Sequence, residues 1–330
     1  DPDTFTVEYD TSGQTVSIVY SGATVGWIPE DDDTVADVPV YPPTQKAIMA
    51  FGNAGGGTGR VSLKNLVNSS GVIAADATGV GTARDGPAAV SYGFDKAIFA
   101  YGYNGSSEVS MSNLVSNSGV VATDTTGVGT VRWLLAASGY GGDKAIFGYG
   151  LASSATNLSN LVSSSGVVAT DTAGVGTARR SIAACGYGGD KGIFGYGTGL
   201  SNTTNLVTNA GVVGTDVTGV GSARKGLDAA KYGTDKGIFA YGSTGSVVSL
   251  SNLISNSGVV AADTTGVGTA RETPGAAGYG GDKAIFAYGT TGTRVSMSNL
   301  VSNVGVVAAD VSGVGTARDD LAGAGYSNSA

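Results

Sequence analysis

The side chains that could do chemistry in this sequence recur at a regular spacing instead of converging on one site. Six arginines close the segments Gly-Val-Gly-Thr/Ser-Ala/Val-Arg, at Arg84, Arg132, Arg179, Arg224, Arg271 and Arg318. Six aspartates follow Gly-Val-Val or Gly-Val-Ile, at Asp76, Asp124, Asp171, Asp216, Asp263 and Asp310. A ring of carboxylates could attract calcium, but calcium takes about six to eight oxygens and only one carboxylate recurs per repeat. The simpler reading of each Asp is an Asx turn that ends a strand. The dipeptides Asp95-Lys96, Asp143-Lys144, Asp190-Lys191, Asp235-Lys236 and Asp282-Lys283 recur as well. Exposed ion pairs contribute at most about 1 kcal/mol, so these and the arginines read as turn and register devices.

Composition removes whole classes of chemistry. The 330 residues include no His and one Cys, which excludes Ser-His-Asp and Cys-His catalysis, imidazole metal ligands, an internal disulfide and a thiolate zinc site. Cys185 reads as a small apolar core residue. Gly127-Val128-Gly129 and its copies lack the Gly-Lys-Ser/Thr of a phosphate loop and lie between strands. A sequence pI near 4.5 and the lack of a basic run argue against nucleic acid. No stretch offers the roughly 18 apolar residues of a membrane span. Paired carboxylates for glycoside hydrolysis could come only from unpatterned acids such as Glu108, Asp228 and Glu272. The expectation is a protein that is not an enzyme and needs no metal or cofactor.

The elements that would position these residues come from six repeats. Lys-Ala-Ile-Met-Ala-Phe-Gly at position 46 returns in related form at 96, 144, 191, 236 and 283, and Asn-Leu-Val or Asn-Leu-Ile occurs at 65, 113, 160, 205, 252 and 299. Within one repeat four short strands are expected, at 135–140, 144–149, 158–163 and 167–170, punctuated by Gly, Asn, Asp and Ser. Four antiparallel strands per roughly 45 residues is the size of a propeller blade. The first repeat lacks the segment that precedes the second strand, and the chain finishes with such a segment, 318–326, that has no second strand after it. If the last strand completes the first blade, both sheet edges are paired and the ring closes. The predicted fold is therefore all-β: a six-bladed β-propeller over residues 46–330, closed by its C-terminal strand.

Residues 1–45 hold nine acids and no Lys or Arg, whereas the rest of the chain holds 17 acids and 18 bases. The first 28 residues read as a β-hairpin, 4–9 with 15–20, and 29–45 as an acidic, Pro-rich linker. A lone hairpin is marginal in water, so this segment is expected to attach to another chain. The absence of Met at position 1 suggests a processed product or part of a longer chain.

Differences among the repeats concentrate in the loop between second and third strands and just after each Arg. In an up-and-down blade those two segments share one face, and a diversified loop face on a repeated scaffold is how propellers present a binding surface. The candidate ligand-binding residues there are Arg60, Tyr103, Asn104, Glu108, Trp133, Arg180, Lys225, Asp228, Glu272 and Arg294. Trp133 is the best single anchor, because aromatic and Arg side chains dominate binding hot spots.

The order Arg, small apolar residues, Gly-rich turn, Ile-Phe-x-Tyr-Gly, variable loop, Asn-Leu-Val and Val-Val-Ala-Thr-Asp resembles kelch-type repeats. It lacks the Trp of their fourth strand and has Tyr-Gly where they carry Gly-Gly. The segment Gly-Tyr-Gly-Gly-Asp-Lys-Ala-Ile-Phe-Gly-Tyr-Gly at 139–150 is similar to the kelch-like repeats in virion and tail-fibre proteins of marine tailed phages, cyanophages included. That resemblance, over residues 46–330, implies a virion protein at a tail fibre or surface projection. On this reading the N-terminal segment meets other virion proteins, the chain is a homo-oligomer, and the loop face binds a host-surface receptor or glycan. The alternatives are a purely structural decoration protein and a propeller lectin or carbohydrate-active enzyme.

Overall fold

The computed structural model describes residues 18–20, 27–29, 42–56 and 59–330, and the chain divides into two parts between Tyr41 and Pro42. In the first part, β1 (Ile18–Tyr20) pairs antiparallel with β2 (Trp27–Pro29), Tyr20 facing Trp27. The sequence expected residues 15–20 to pair with 4–9. Residues 4–9 lie outside the described residues, and among the described ones Ile18–Tyr20 pairs with Trp27–Pro29.

The second part consists of β3 (Lys46–Ala50), β4 (Lys64–Val67), β5 (Ala88–Tyr92), β6 (Lys96–Tyr103), β7 (Glu108–Val115), β8 (Ala136–Tyr140), β9 (Lys144–Gly148) and β10 (Ser159–Val162). It continues with β11 (Ala183–Tyr187), β12 (Lys191–Gly197), β13 (Ser201–Val207), β14 (Asp228–Tyr232), β15 (Lys236–Ala240), β16 (Ser251–Ile254), β17 (Gly275–Tyr279), β18 (Lys283–Ala287), β19 (Ser298–Val301) and β20 (Ala322–Tyr326). These form three-stranded antiparallel sheets, β20-β3-β4 and then β5-β6-β7 through β17-β18-β19, and no helix occurs among the described residues. The architecture is all-β and propeller-like.

Each repeat folds for the same reasons. The Lys-x-Ile-Phe strand is buried on both faces because its two flanking strands and the neighbouring sheets enclose it. Gly141 and Gly142 adopt φ of 59° and 80°, which lets the chain reverse between β8 and β9. The first strand of each sheet is built of Ala and Gly because these strands crowd together. At Gly323 a Cβ would come within 2.6 Å of the Ala276 carbonyl of the adjacent sheet. First strands touch in the order β20, β5, β8, β11, β14, β17 and again β20.

Backbone hydrogen bonds follow the same order along the short turns. Gly93 donates to the Asp143 carbonyl, Gly141 to Asp190, Gly188 to Asp235 and Gly233 to Asp282, at 2.7–2.8 Å. Gly280 donates to Gln45 at 2.9 Å and Ser327 to Asp95 at 2.8 Å. Gln45, which the sequence assigned to the linker, therefore takes the place of a turn aspartate.

The fourth strand expected at 167–170 is not a continuous strand. The segment touches its sheet through isolated bridges, Val162 with Val168 and Ser159 with Thr172. Between them Asn160 Nδ2 donates to the Ala169 carbonyl at 3.0 Å, so a side chain supplies a link that a regular ladder would make with backbone.

Candidate functional site

The repeated arginines belong to the architecture, and they are more deeply placed than the sequence suggested. All six are 0–1 % exposed. Each guanidinium lies over the aromatic ring that follows the Lys-x-Ile-Phe/Met run of the preceding sheet's second strand: Arg84 over Phe51, Arg132 over Tyr101, Arg179 over Tyr149, Arg224 over Tyr196, Arg271 over Tyr241 and Arg318 over Tyr288, at 3.9–4.9 Å. Arg132 also donates from Nε to the Tyr149 carbonyl at 2.9 Å and from Nη2 to Asn160 Oδ1 at 2.6 Å. Tyr149 adopts φ of 64°. It therefore offers its carbonyl to the arginine of its own repeat and its ring to the arginine of the next. Burial pushes Arg84 down to about 10, still well above neutral pH, so the guanidinium stays charged.

The Asx-turn reading of the six aspartates is corrected. Asp124 accepts from Thr82, by N–H at 3.0 Å and by hydroxyl at 2.7 Å, and that threonine lies 42 residues earlier on the junction between sheets. It also accepts from Asn113 Nδ2 at 2.9 Å. Asp76 makes the same contacts with Thr316 and Asn65. Each carboxylate thus ties two sheets together. Burial would raise its pKa, and the Thr or Ser and Asn hydrogen bonds with the nearby Arg outweigh that and hold it below the ordinary value.

With the repeated residues absorbed, the loops that differ are left to confer individuality. In five of the six repeats the start of the second-to-third-strand loop bridges the residue that follows an arginine: Asp85 with Tyr103, Trp133 with Leu151, Lys225 with Ser243, Glu272 with Thr290 and Asp319 with Asn53. The two variable segments therefore meet, as the sequence predicted.

One sector of this face is distinct. Tyr103 and Trp133 lie with ring centroids 5.3 Å apart and planes at 37°, and the Arg60 guanidinium sits 4.8 Å from the Tyr103 centroid. Arg60 Nε is 3.0 Å from Asp85 Oδ2. Glu108 faces Tyr103 across the β6–β7 hairpin. Trp133 is half-buried rather than freely exposed, and its Nε1 and Asp85 Oδ1 have no hydrogen-bond partner among the described residues. Gly86 makes room for the indole, since a Cβ there would come within 3.0 Å of Trp133 Cε3.

The other candidates divide. Asn104 is spent within its own turn, where Oδ1 accepts from Ser106 and Ser107 at 2.9 Å. Arg294 is held by the Asn53 carbonyl at 2.8 Å and by Asp319 Oδ1 at 2.9 Å. Arg180 and Lys225 have no carboxylate partner among the described residues, and Lys225 is exposed. Glu272 lies near Asp320. Asp228 sits at the inner margin of the loop face, where the segments that follow the arginines surround the first strands. It opens β14 and lines a cavity of about 90 Å³ ringed by the first strands of all the sheets.

Sequence reasoning missed Asp85, Asp319 and Asp320. The first two directly follow an arginine, the same position as Trp133, Arg180, Lys225 and Glu272, so alignment of the six repeats at that column would have found them. Burial raises Asp85 against the pull of Arg60, and raises Asp319 against that of Arg294. Asp320 is pushed up to about 7 by burial and by the neighbouring carboxyls of Asp319, Asp85 and Glu272. Asp228 is pushed up to about 7 by burial, against hydrogen bonds from the N–H groups of Ala229 and Ala276.

No family model and no curated protein matches this chain. Among solved structures it is similar to a fungal alcohol oxidase of the AA5 family in complex with copper, at 14% identity and a TM-score of 0.51. The likeness covers 84% of this chain and spans 65% of that one, less than two thirds of its length. It overturns the expectation that the chain is not an enzyme, because this kind of fold also carries an oxidase and so gives no ground for excluding catalysis. At that identity the likeness shows the fold alone. The copper of that protein does not fit the residues here: the chain has no His, Cys185 is enclosed in an apolar cluster, and no three His, Cys, Asp or Glu come together as a metal site among the described residues.

Proposed function

We propose that residues 42–330 form a closed, six-bladed kelch-like propeller that serves a phage particle by binding a host-surface ligand through its loop face. Closure is supported by the β20–β3 pairing, Ala322 facing Ala50 through Tyr326 facing Lys46, and by the cyclic order in which first strands touch. The virion setting rests on the resemblance of the repeats to phage proteins. The N-terminal segment would attach the propeller to its neighbours in a tail fibre or surface projection, as one chain of a homo-oligomer.

The observation that carries the binding role is the Arg60–Tyr103–Trp133 stack. Among the described residues it is the one aromatic pair that the loops contribute, and it joins a flat apolar surface to a cation and to hydrogen-bonding groups. The test is saturable binding of the fluorescently labelled full chain to candidate host cells, before and after enzymatic removal of surface glycan. Trp133→Ala is expected to lower retention by about tenfold or more. Retention unchanged by Trp133→Ala, in a variant that melts at the parental temperature, would overturn this site.

A further inference from the structure

The positions that follow the repeated arginines are equivalent seats on successive sheets, and their occupants polarise the loop face. Trp133 exchanges backbone hydrogen bonds with Leu151 at 3.0 and 2.8 Å, and Lys225 with Ser243 at 3.1 and 2.8 Å. Arg180 accepts from Thr198 N–H at 2.9 Å and donates its own N–H to the Thr198 hydroxyl at 3.1 Å. The residues just beyond link neighbouring seats: Leu134 donates to the Gly86 carbonyl, Ser181 to Leu134 and Gly226 to Ser181, at 2.9–3.0 Å. Trp133, Arg180 and Lys225 are thus side by side on three consecutive sheets, with Tyr103 stacked on the first of them.

Charge divides along the same ring. The two other loop arginines are neutralised, Arg60 by Asp85 and Arg294 by Asp319. Asp320 and Glu272 crowd one arc with the paired Asp319 and Asp85, closely enough that these carboxyls act on Asp320, while Glu108 faces Tyr103 at the margin of the other arc. Arg180 and Lys225 stand on the other arc without a carboxylate partner among the described residues. In a chain with net charge −8, two adjacent uncompensated cations beside an aromatic stack form a local reversal of field.

From this, and resting on the loop-face reading above, we propose that the ligand is an anionic glycan lying along the arc Tyr103–Trp133–Arg180–Lys225. The aromatic pair takes the C–H face of a sugar ring. Arg180 accepts a carboxylate in its planar fork and Lys225 adds a point charge. The acidic arc repels the same ligand if it is placed a half-turn away, which fixes orientation. Arg180 and Lys225 are two cations, enough for the carboxylates of a short uronate segment, whereas a nucleic-acid backbone calls for a basic run that the sequence lacks.

The test is calorimetric titration of the full chain with alginate as a polyuronate, dextran as a neutral glucan and a single-stranded oligonucleotide, at low and at physiological salt. Alginate is expected to bind saturably, weaken with salt and lose about tenfold or more in affinity with Arg180→Glu/Lys225→Glu, while dextran is left unbound. Dextran binding as tightly as alginate, preferential retention of the oligonucleotide, no binding of alginate, or alginate binding unchanged by the charge reversal would each overturn the inference. Parental melting of the variant separates binding from folding. Host-cell retention lost in Trp133→Ala but kept in the charge-reversed variant would sink the anionic ligand and leave the loop-face reading standing. Retention kept in both would sink both.

Discussion

Arg318 Nε donates to the Phe51 carbonyl at 2.9 Å across 267 residues of chain. The equivalent bonds of Arg132, Arg179 and Arg224 reach only 17 residues ahead. The end of the chain therefore performs for the first sheet what each repeat performs for itself, and β20 supplies the strand that covers the edge of β3. Deleting residues 319–330 exposes that edge with its unpaired N–H and C=O groups. The expected outcome is a chain that aggregates and melts at lower temperature, and a peptide of residues 315–330 added in trans should raise the melting point. An unchanged melting curve would show that the terminal strand is dispensable.

The arginines differ in how completely they are satisfied, and their truncations should differ accordingly. Arg132→Met leaves the Tyr149 carbonyl and Asn160 Oδ1 without their donor and removes the charge over Tyr101. A loss of about 3–5 kcal/mol is expected, in the range for breaking a buried charged network. Arg271 Nε and Asn299 Oδ1 already lack partners among the described residues. Arg271→Met should cost less by about 1–2 kcal/mol, since fewer groups are newly orphaned. Urea midpoints of the two variants decide the point, and equal losses would show that the ring contact dominates.

The sequence revealed the repeats because their phase is written in invariant blocks, and the missing first strand at Lys46 pointed to Tyr326 as its complement. The depth of the arginines was harder to read. A charged residue at each repeat suggests a solvated register device until it is known that Phe51 and the five tyrosines turn left-handed and place a ring beneath it. The Asp partners were hidden because Thr82 and Asp124 are far apart in sequence and meet only between sheets. Asp228 looked like a loop residue because it follows Lys225 closely, yet β14 begins on it and carries it into the central cavity. The Tyr103–Trp133 stack was visible as two separate candidates, not as a contact, because it joins different repeats.

Gly86 ties that stack to the backbone. Its φ of 57° is matched by Leu134, Ser181 and Thr273 at 51–52° in the equivalent positions, so this conformation tolerates a side chain. What a Cβ meets at Gly86 is Trp133 at 3.0 Å, whereas at Gly226 it meets Glu272 Oε2 and Thr273 Cγ2 at 3.4 Å. Gly86→Ala is therefore expected to shift the Trp133 emission spectrum and weaken host-cell retention. Gly226→Ala should leave both unchanged and move stability by less than about 0.5 kcal/mol. Identical emission spectra for the two variants would show that the indole is not seated on Gly86.

The six inter-sheet aspartates make the fold acid-sensitive. Burial would raise Asp171, but hydrogen bonds from Thr130 and Asn160 together with the Arg132 charge hold its folded pKa below the unfolded value. Stability from such a group is fully present above the unfolded pKa near 4 and is lost as pH falls through the folded one. Asp171→Ala should then cost about 1–2 kcal/mol at pH 7, and the difference from the parent should shrink below about pH 4. A pH-independent difference would locate the effect in packing rather than charge.

Asp228 titrates in the opposite sense. The matching first-strand positions are Ala88, Ala136, Ala183, Gly275 and Ala322, so a single carboxyl stands where the other first strands open with Ala or Gly, and Ala88, Ala136 and Ala322 line the cavity beside it. Asp320 lines the same cavity, and Lys231, lowered by burial, lines a second cavity against the same first strands. With its pKa raised to about 7, folded Asp228 keeps a proton that the unfolded chain releases near pH 4. The folded state binds more protons between those values, so stability declines as pH rises from about 4 to about 7 and the penalty is complete above that. Asp228→Asn keeps an acceptor for the Ala229 and Ala276 N–H groups and removes the charge. Its melting temperature should therefore exceed the parent's by more at pH 8 than at pH 5, while Asp320 maintains a residual pH dependence in both proteins. An equal gain at the two pH values would mean that Asp228 is already ionised at pH 5 and that the cavity solvates it as water does.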